Sequence, residues 1–362
     1  MQTKSDIPGP ARKESETEAG DFFAKIKKSL RSYSIQSELI ERGIHFGDSI
    51  HPIKAHFGSE TLYQYLSRAW KHLPAHPSLS DKALDLYFLD EATTDYQLPP
   101  LPFNLKEVGL QGIFPAYFNE AEKAVWQFGS RVLYLYDRNR NYCLFWTRDV
   151  RELPNWELSF PLRYPVMWGS ETTDAIMLHA AAVGNQNGAA LLVGKSGSGK
   201  STTSLSALAS GMQFLGEDYV LVNAGDPIEV YSLFCSAKAR SSTFEQLNIN
   251  DGQTFPLNIE ENSRRLTYLD ENYADQLVDK LPVRTLLLPS VDHSDQPHFS
   301  PMTTGELLTA LAPSCLFQIP CNRPAALKKI TQLVKRLPCY RFHLSTDLQR
   351  NADCLNQFLL KL

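Results

Sequence analysis

The sequence has no long apolar run. Nothing in it approaches the ~18 consecutive apolar residues of a membrane-spanning helix. The opening stretch, MQTKSDIPGPARKESETEAG, lacks the apolar segment of a secretory leader. Positive charge is not in excess either. Lys and Arg number 36 against 40 Asp and Glu, for a net charge of −4, so a phosphate-driven nucleic-acid footprint is not expected. The six cysteines, Cys143, Cys235, Cys315, Cys321, Cys339 and Cys354, form no C-x-x-C pair. That scatter fits reduced thiols in a cytoplasmic chain better than a disulfide frame. Hydrophobic residues make up 43% and charged ones 21%, enough to bury a core and unlike a disordered chain. A length of 362 residues leads to an expectation of about two domains.

Glycine is also scarce, with 19 residues in all, a share below the usual ~7%. Yet eight of the 19 fall between residues 184 and 225: Gly184, Gly188, Gly194, Gly197, Gly199, Gly211, Gly216 and Gly225. Glycine collects where the backbone takes positive φ or a ligand comes close. Within this window, ALLVGKSGSGKSTTS contains Gly194-Lys195-Ser196-Gly197-Ser198-Gly199-Lys200-Ser201, which satisfies the P-loop pattern G-x-x-x-x-G-K-[ST]. An apolar strand over Ala190–Val193 leads in and a helix over Ser201–Ser210 leads out. Gly211 then stands where a glycine would close that helix. The spacing has a physical purpose. Backbone N–H groups of the loop and the helix N-terminus can surround phosphates, and the helix dipole adds favourable potential. Residues 194–201 and Thr202 are therefore the expected nucleotide cradle, with Lys200 on the terminal phosphates and Ser201 offering a hard oxygen to Mg²⁺.

Two neighbours narrow the chemistry. Phe214-Leu215-Gly216-Glu217-Asp218-Tyr219 places adjacent acids at the end of a short apolar run. Beside a P-loop, such acids can hold Mg²⁺ or take a proton from a nucleophile. His179, in Met177-Leu178-His179-Ala180-Ala181, lies 15 residues before Gly194 in an apolar setting; alone it reads as a core histidine. Gly184 and Gly188 bracket a hairpin turn between the His179 strand and the P-loop strand.

The rest of the chain is less explicit. Residues 1–20 read as a disordered tail, and Asp21 as the N-cap of a helix carrying Phe22, Phe23, Ile26 and Leu30. Residues 21–155 are expected to form a smaller α+β domain. It contains a helix from Thr61 to Trp70, strands over Leu84–Leu89 and Val132–Tyr136, and a return strand over Tyr142–Thr147 after the turn Asp137–Asn141. His72 and His76 have the i, i+4 spacing of a ligand pair, but Pro74 and Pro77 argue against a helix there, so no metal is expected. Residues 156–362 alternate apolar runs with helical stretches, an α/β pattern.

Taken together, His179, the P-loop and Glu217-Asp218 resemble the HPr kinase/phosphorylase family. These are bacterial P-loop serine kinases related in fold to phosphoenolpyruvate carboxykinase. The resemblance covers roughly residues 175–225 and implies a C-terminal P-loop kinase domain with a mixed sheet. It also implies ATP and Mg²⁺ as cofactors and transfer of the γ-phosphoryl group to a serine or similar hydroxyl. By family position Glu217 would be the base, Asp218 a Mg²⁺ partner with Ser201, and His179 a group that orients the base or acceptor. The first acid is Glu where family enzymes usually have Asp. The family's later glycine-rich signature is replaced by Tyr231-Ser232-Leu233-Phe234-Cys235-Ser236-Ala237-Lys238-Ala239-Arg240. The overall layout looks closer to HPr kinase-like proteins that phosphorylate a precursor peptide, with the first domain holding the substrate or mediating assembly. The expected partner is a peptide or protein bearing a hydroxyl acceptor, with no nucleic acid and no membrane, and the oligomeric state stays open. Two other readings are a small-molecule kinase of the same fold, acting on a sugar or nucleoside, and a nucleotide-binding sensor or scaffold with little catalysis.

Overall fold

The computed structural model describes residues 11–46, 50–76, 82–249 and 264–362. Its first helix, α1 (Ala11–Gln36), begins ten residues before the expected cap at Asp21. The tail expected over residues 1–20 is thus corrected for residues 11–20, and residues 1–10 lie outside the described residues. Ala, Arg, Lys and Glu dominate residues 11–20 and favour helix intrinsically, so the helix whose apolar face starts near Ala19 begins further back along the chain.

A seven-stranded sheet follows, from β1 (Ile40–Ile44), β2 (Ile53–Phe57), β3 (Leu84–Asp90), β4 (Ile113–Phe118), β5 (Glu122–Gln127), β6 (Val132–Asp137) and β7 (Tyr142–Thr147). The strand order is β1-β2-β3-β7-β6-β5-β4. The central strands are wholly buried or nearly so because both faces are covered, which is why they read as continuous apolar runs. Leu133, Leu135 and Leu144 meet Phe22, Phe23, Ile26 and Leu30 of α1. Tyr134, Tyr136 and Phe145 face α2 (Glu60–Leu66), α3 (Asn155–Ser159) and α4 (Arg163–Ser170). There Tyr134 stacks on Tyr164, with ring centroids 4.1 Å apart. Residues 156–170, expected in the second domain, therefore pack on the first sheet.

The second sheet contains β8 (Ala175–Leu178), β9 (Ala181–Asn185), β10 (Gly188–Leu192), β11 (Gln213–Gly216), β12 (Val220–Asn223) and β13 (Glu229–Tyr231). It continues, after the ribbon of β14 (Ser236–Arg240) and β15 (Arg264–Tyr268), with β16 (Lys280–Ser294), β17 (His298–Pro301) and β18 (Cys339–Ser345). The order is β11-β9-β10-β16-β13-β12-β8, with β18 on β16 and β17 on β18. The long β16 holds the sheet together, pairing antiparallel with β13 and parallel with both β10 and β18. One face is covered by α5 (Lys200–Ala209) and α9 (Leu348–Leu359), the other by α7 (Thr304–Leu316) and α8 (Arg323–Arg336). A short α6 (Ser241–Gln246) follows β14. The architecture is mixed α/β.

Gly211 closes α5 as expected. Its N–H bonds Leu208 O at 2.9 Å and the Met212 N–H bonds Ala207 O at 3.0 Å, with Gly211 at φ 83°. That pair of bonds satisfies carbonyls the helix would otherwise leave open. Among the described residues no helix is long and apolar enough to cross a membrane, and no group of three or more His, Cys, Asp or Glu side chains is arranged to hold a metal. His72 bonds Ser232 Oγ at 2.7 Å, and burial, aided by Arg42, pushes its pKa down to about 3. All six cysteines are free thiols.

Candidate functional site

The glycine-rich loop leaves the C-terminal end of β10, a fully buried strand parallel to β16. In sheets of this kind, ligands bind beyond the carboxyl ends of the strands. The loop turns through three positive φ values: 134° at Gly194, 82° at Gly197 and 102° at Gly199. A Cβ at Gly194 would stand 2.8 Å from Leu288 Cδ1, and one at Gly199 would stand 2.9 Å from Leu344 Cδ1. Gly197 has open space around it, so there the requirement is conformational alone. Lys200 opens α5, is 6% exposed, and donates from Nζ to Gly194 O at 2.8 Å and Lys195 O at 3.4 Å. These bonds hold the ammonium group across the loop.

The loop forms one wall of a cavity of about 500 Å³. Ser196, Gly197, Gly199, Lys200, Ser201 and Thr202 line it from the P-loop side. His179, Asp218, Lys238, Arg240, Gln318 and Val291 line it from elsewhere in the chain. Gly194, Lys195 and Ser198, also expected in the cradle, shape the loop without lining the cavity. Residues with little sequence proximity thus meet at one cavity.

The acids arrive from the end of β11. Glu217 is 2% exposed, and its Oε1 accepts the Lys238 N–H at 2.8 Å. Its Oε2 is buried without a hydrogen-bond partner among the described residues, and the Ser201 hydroxyl neighbours the carboxyl group. Burial raises the Glu217 pKa, and the adjacent Asp218 charge adds to the rise. Asp218 is different. Its side chain keeps 21% exposure and faces the cavity. Burial would raise its pKa, but the His179 bond and the charges of Lys238 and Lys200 outweigh this and hold it well below the ordinary carboxylate range.

His179 follows β8, and its Nε2 lies 2.5 Å from Asp218 Oδ1. A carboxylate only accepts, so Nε2 carries a hydrogen. Nδ1 meets Gln318 Nε2 at 3.1 Å, and Gln318 Oε1 accepts the Tyr219 hydroxyl at 2.7 Å. Tyr219 thus donates to Gln318, Gln318 to His179, and His179 to Asp218. The isolated histidine of the sequence is the third member of an ordered chain.

Gln318 carried no signal in the sequence: it is a lone amide between two helices. Its place is set by the turn from Phe317 to Asn322, which other segments grip. Trp168 Nε1 donates to Pro320 O at 2.8 Å. Glu171 Oε1 accepts the Asn322 N–H at 2.9 Å, and Glu171 Oε2 pairs with buried Lys123 at 3.0 Å. Gln111 Nε2 donates to Phe317 O at 2.5 Å. Lys238 belongs to the stretch Tyr231–Arg240 that stands in place of the glycine-rich signature. The structure puts it on the cavity wall, its ammonium 4.8 Å from the Phe160 ring centroid.

No family model matches the chain, and no curated protein matches it in sequence. Among solved structures, the HPr(Ser) kinase/phosphatase from Coxiella burnetii is similar at 13% identity and a TM-score of 0.29, over 51% of this chain and 97% of that one. A likeness that slight carries no weight for fold or function.

Proposed function

We propose that the chain is an ATP- and Mg²⁺-dependent kinase that moves the γ-phosphoryl group to a serine, or similar hydroxyl, of a peptide or protein. The observation that carries this reading is a single cavity walled on one side by the P-loop with Lys200 and on the other by the Asp218–His179 pair. A phosphate cradle alone would bind nucleotide. A cavity-facing carboxylate opposite it supplies the group that orients an attacking hydroxyl.

The buried Glu217 carboxyl, with Oε2 unpartnered among the described residues and the Ser201 hydroxyl as a neighbour, fits a hard cation that arrives with the nucleotide. Glu217 and Ser201 would hold that ion, and Mg²⁺, when bound, draws charge off the phosphate oxygens. This reverses the roles implied by the family resemblance, which made Glu217 the base and Asp218 the metal partner. In our assignment Asp218 takes the acceptor proton, because it faces the cavity and is oriented by His179. Its low pKa keeps it ionised at neutral pH; its work is to aim the hydroxyl and receive the proton late, as a loose phosphoryl-transfer transition state requires. Lys200 and the loop N–H groups stabilise charge on the transferring phosphoryl group.

The test is transfer of label from γ-labelled ATP to serine-containing peptides, read by mass spectrometry. Lys200→Ala and Asp218→Asn should each abolish it to within about one part in a hundred or less. Unchanged transfer in both variants would sink the proposal. Transfer to a sugar or nucleoside instead would move it to the small-molecule reading. Tight ATP binding with no acceptor at all would favour a sensor.

A further inference from the structure

The second sheet carries another ordered group, away from the P-loop cavity. Pro289, Val291 and Leu344 point toward Gly199. Side chains alternate along a strand, so Asp292 of β16 and His343 of β18 point to the opposite face. There Ser300 of the edge strand β17 places its Oγ 2.8 Å from His343 Nε2, and His343 Nδ1 bonds Asp292 Oδ2. The carboxylate can only accept, so Nδ1 carries its hydrogen and Nε2 is left to accept the serine proton. His298 stacks on His343 with centroids 4.2 Å apart and planes 3° from parallel. Ser300 is registered opposite Arg341, and opposed residues share a face. Asp292 is 39% exposed and Ser300 half-buried, so the group opens to solvent.

We infer that Ser300 is an activated nucleophile and the site at which one copy of this protein phosphorylates another, an inference that rests on the kinase reading above. Nucleophile, base and orienting acid stand in the relation that activates a hydroxyl. An acyl-transfer role fits less well: the next residue is Pro301, which has no N–H to offer an oxyanion. In the proposed step, Ser300 Oγ forms a bond to the γ-phosphorus of ATP. The bond from that phosphorus to the bridging oxygen breaks, and ADP leaves with the electron pair. The hydroxyl proton passes to His343 Nε2, and Asp292 holds the imidazolium. Ser300 does not line its own phosphate cavity, so the ATP belongs to a second copy. The product phosphoserine, at a charge of about −1.5 to −2, would sit among Arg341, His298 and His343, with Asp292 and Glu306 the facing acids.

The experiment incubates the full chain with γ-labelled ATP and Mg²⁺ and maps the label by peptide mass spectrometry. One phosphate at Ser300 is expected, absent in Ser300→Ala, with an initial rate per molecule that rises with protein concentration. His343→Asn should slow labelling on the order of 100-fold, and Asp292→Asn less. Ser300→Ala should leave transfer to peptides unchanged. Mixing Lys200→Ala with Ser300→Ala protein should label Ser300 of the Lys200→Ala chain. Label on peptides but none on Ser300 overturns the inference and leaves the kinase reading standing. If ATP labels nothing, the kinase reading fails, and a fluorophosphonate probe decides the nucleophile separately. His343-dependent labelling of Ser300 by that probe upholds the relay, and no labelling overturns it.

Discussion

The two walls of the cavity beside the glycine-rich loop are built by different means. The P-loop wall is backbone: three glycines at positive φ, one strand end and one helix start, all within 15 consecutive residues, 190–204. The opposite wall is side chains: His179, Asp218, Lys238 and Gln318, brought from four separate segments. A backbone wall needs residues that can adopt a conformation, so it leaves a local pattern. A side-chain wall needs residues that arrive together, so its members look ordinary until the chain folds. The first should govern nucleotide affinity and the second the rate of transfer.

The largest expected effects test that division directly. Lys200→Ala should weaken ATP binding and cut transfer about a thousandfold or more. Asp218→Asn should cut transfer about 10²–10⁴-fold with ATP affinity nearly unchanged; isothermal titration beside rate measurements separates the two. If Asp218→Asn weakens ATP as much as it slows transfer, the walls do not divide the work. Next comes Gly199→Ala. An alanine there carries the cost of positive φ, about 1–3 kcal/mol, plus the close approach to Leu344, so ATP affinity should fall about 10–100-fold. Gly197→Ala, with open space around it, should cost less in the same titration.

Gln318→Leu should reduce kcat about tenfold while leaving KM for ATP unchanged, because it removes the donor that keeps His179 aimed at Asp218. A rise in KM with constant kcat would place Gln318 on the nucleotide instead. The smallest effect concerns Glu217. Its pKa is raised in the folded state, so its contribution to stability is present at low pH and lost as pH rises from its unfolded value through the raised one. Glu217→Gln removes that loss. The variant's Tm should exceed that of the wild type by a few degrees at pH 8 and by less at pH 5, and Mg²⁺ with ATP should narrow the gap. A gap independent of pH would contradict a buried, strained carboxyl.

Legibility in the sequence followed the same line. The strand into the P-loop, its helix, the hairpin at Gly184–Gly188 and the closing Gly211 are local signals, and the structure has each of them. The β6–β7 hairpin was equally readable, since Tyr142–Thr147 returns antiparallel to Val132–Asp137. The start of α1 was misplaced because a charged, helix-favouring stretch has no apolar periodicity to announce it. Gln318 was unreadable because its role comes from Tyr219 on one side and His179 on the other, 99 and 139 residues away in sequence. Ser300, His343 and Asp292 escaped for the same reason: β17 and β18 are joined only after α7 and α8 have passed between them.

By itself, then, the sequence determined the glycine-rich turn between β10 and α5, since glycine at fixed spacing between strand and helix dictates backbone conformation without help from the rest of the chain. Tertiary structure decided which of two adjacent acids meets the cavity. Glu217 and Asp218 are neighbours with nearly the same chemistry, and both stand in the bend that follows β11. One is buried against the Lys238 N–H and the Ser201 hydroxyl, while the other is held open to the cavity by His179. Their pKa values shift in opposite directions because their surroundings differ, and surroundings exist only once distant segments have packed.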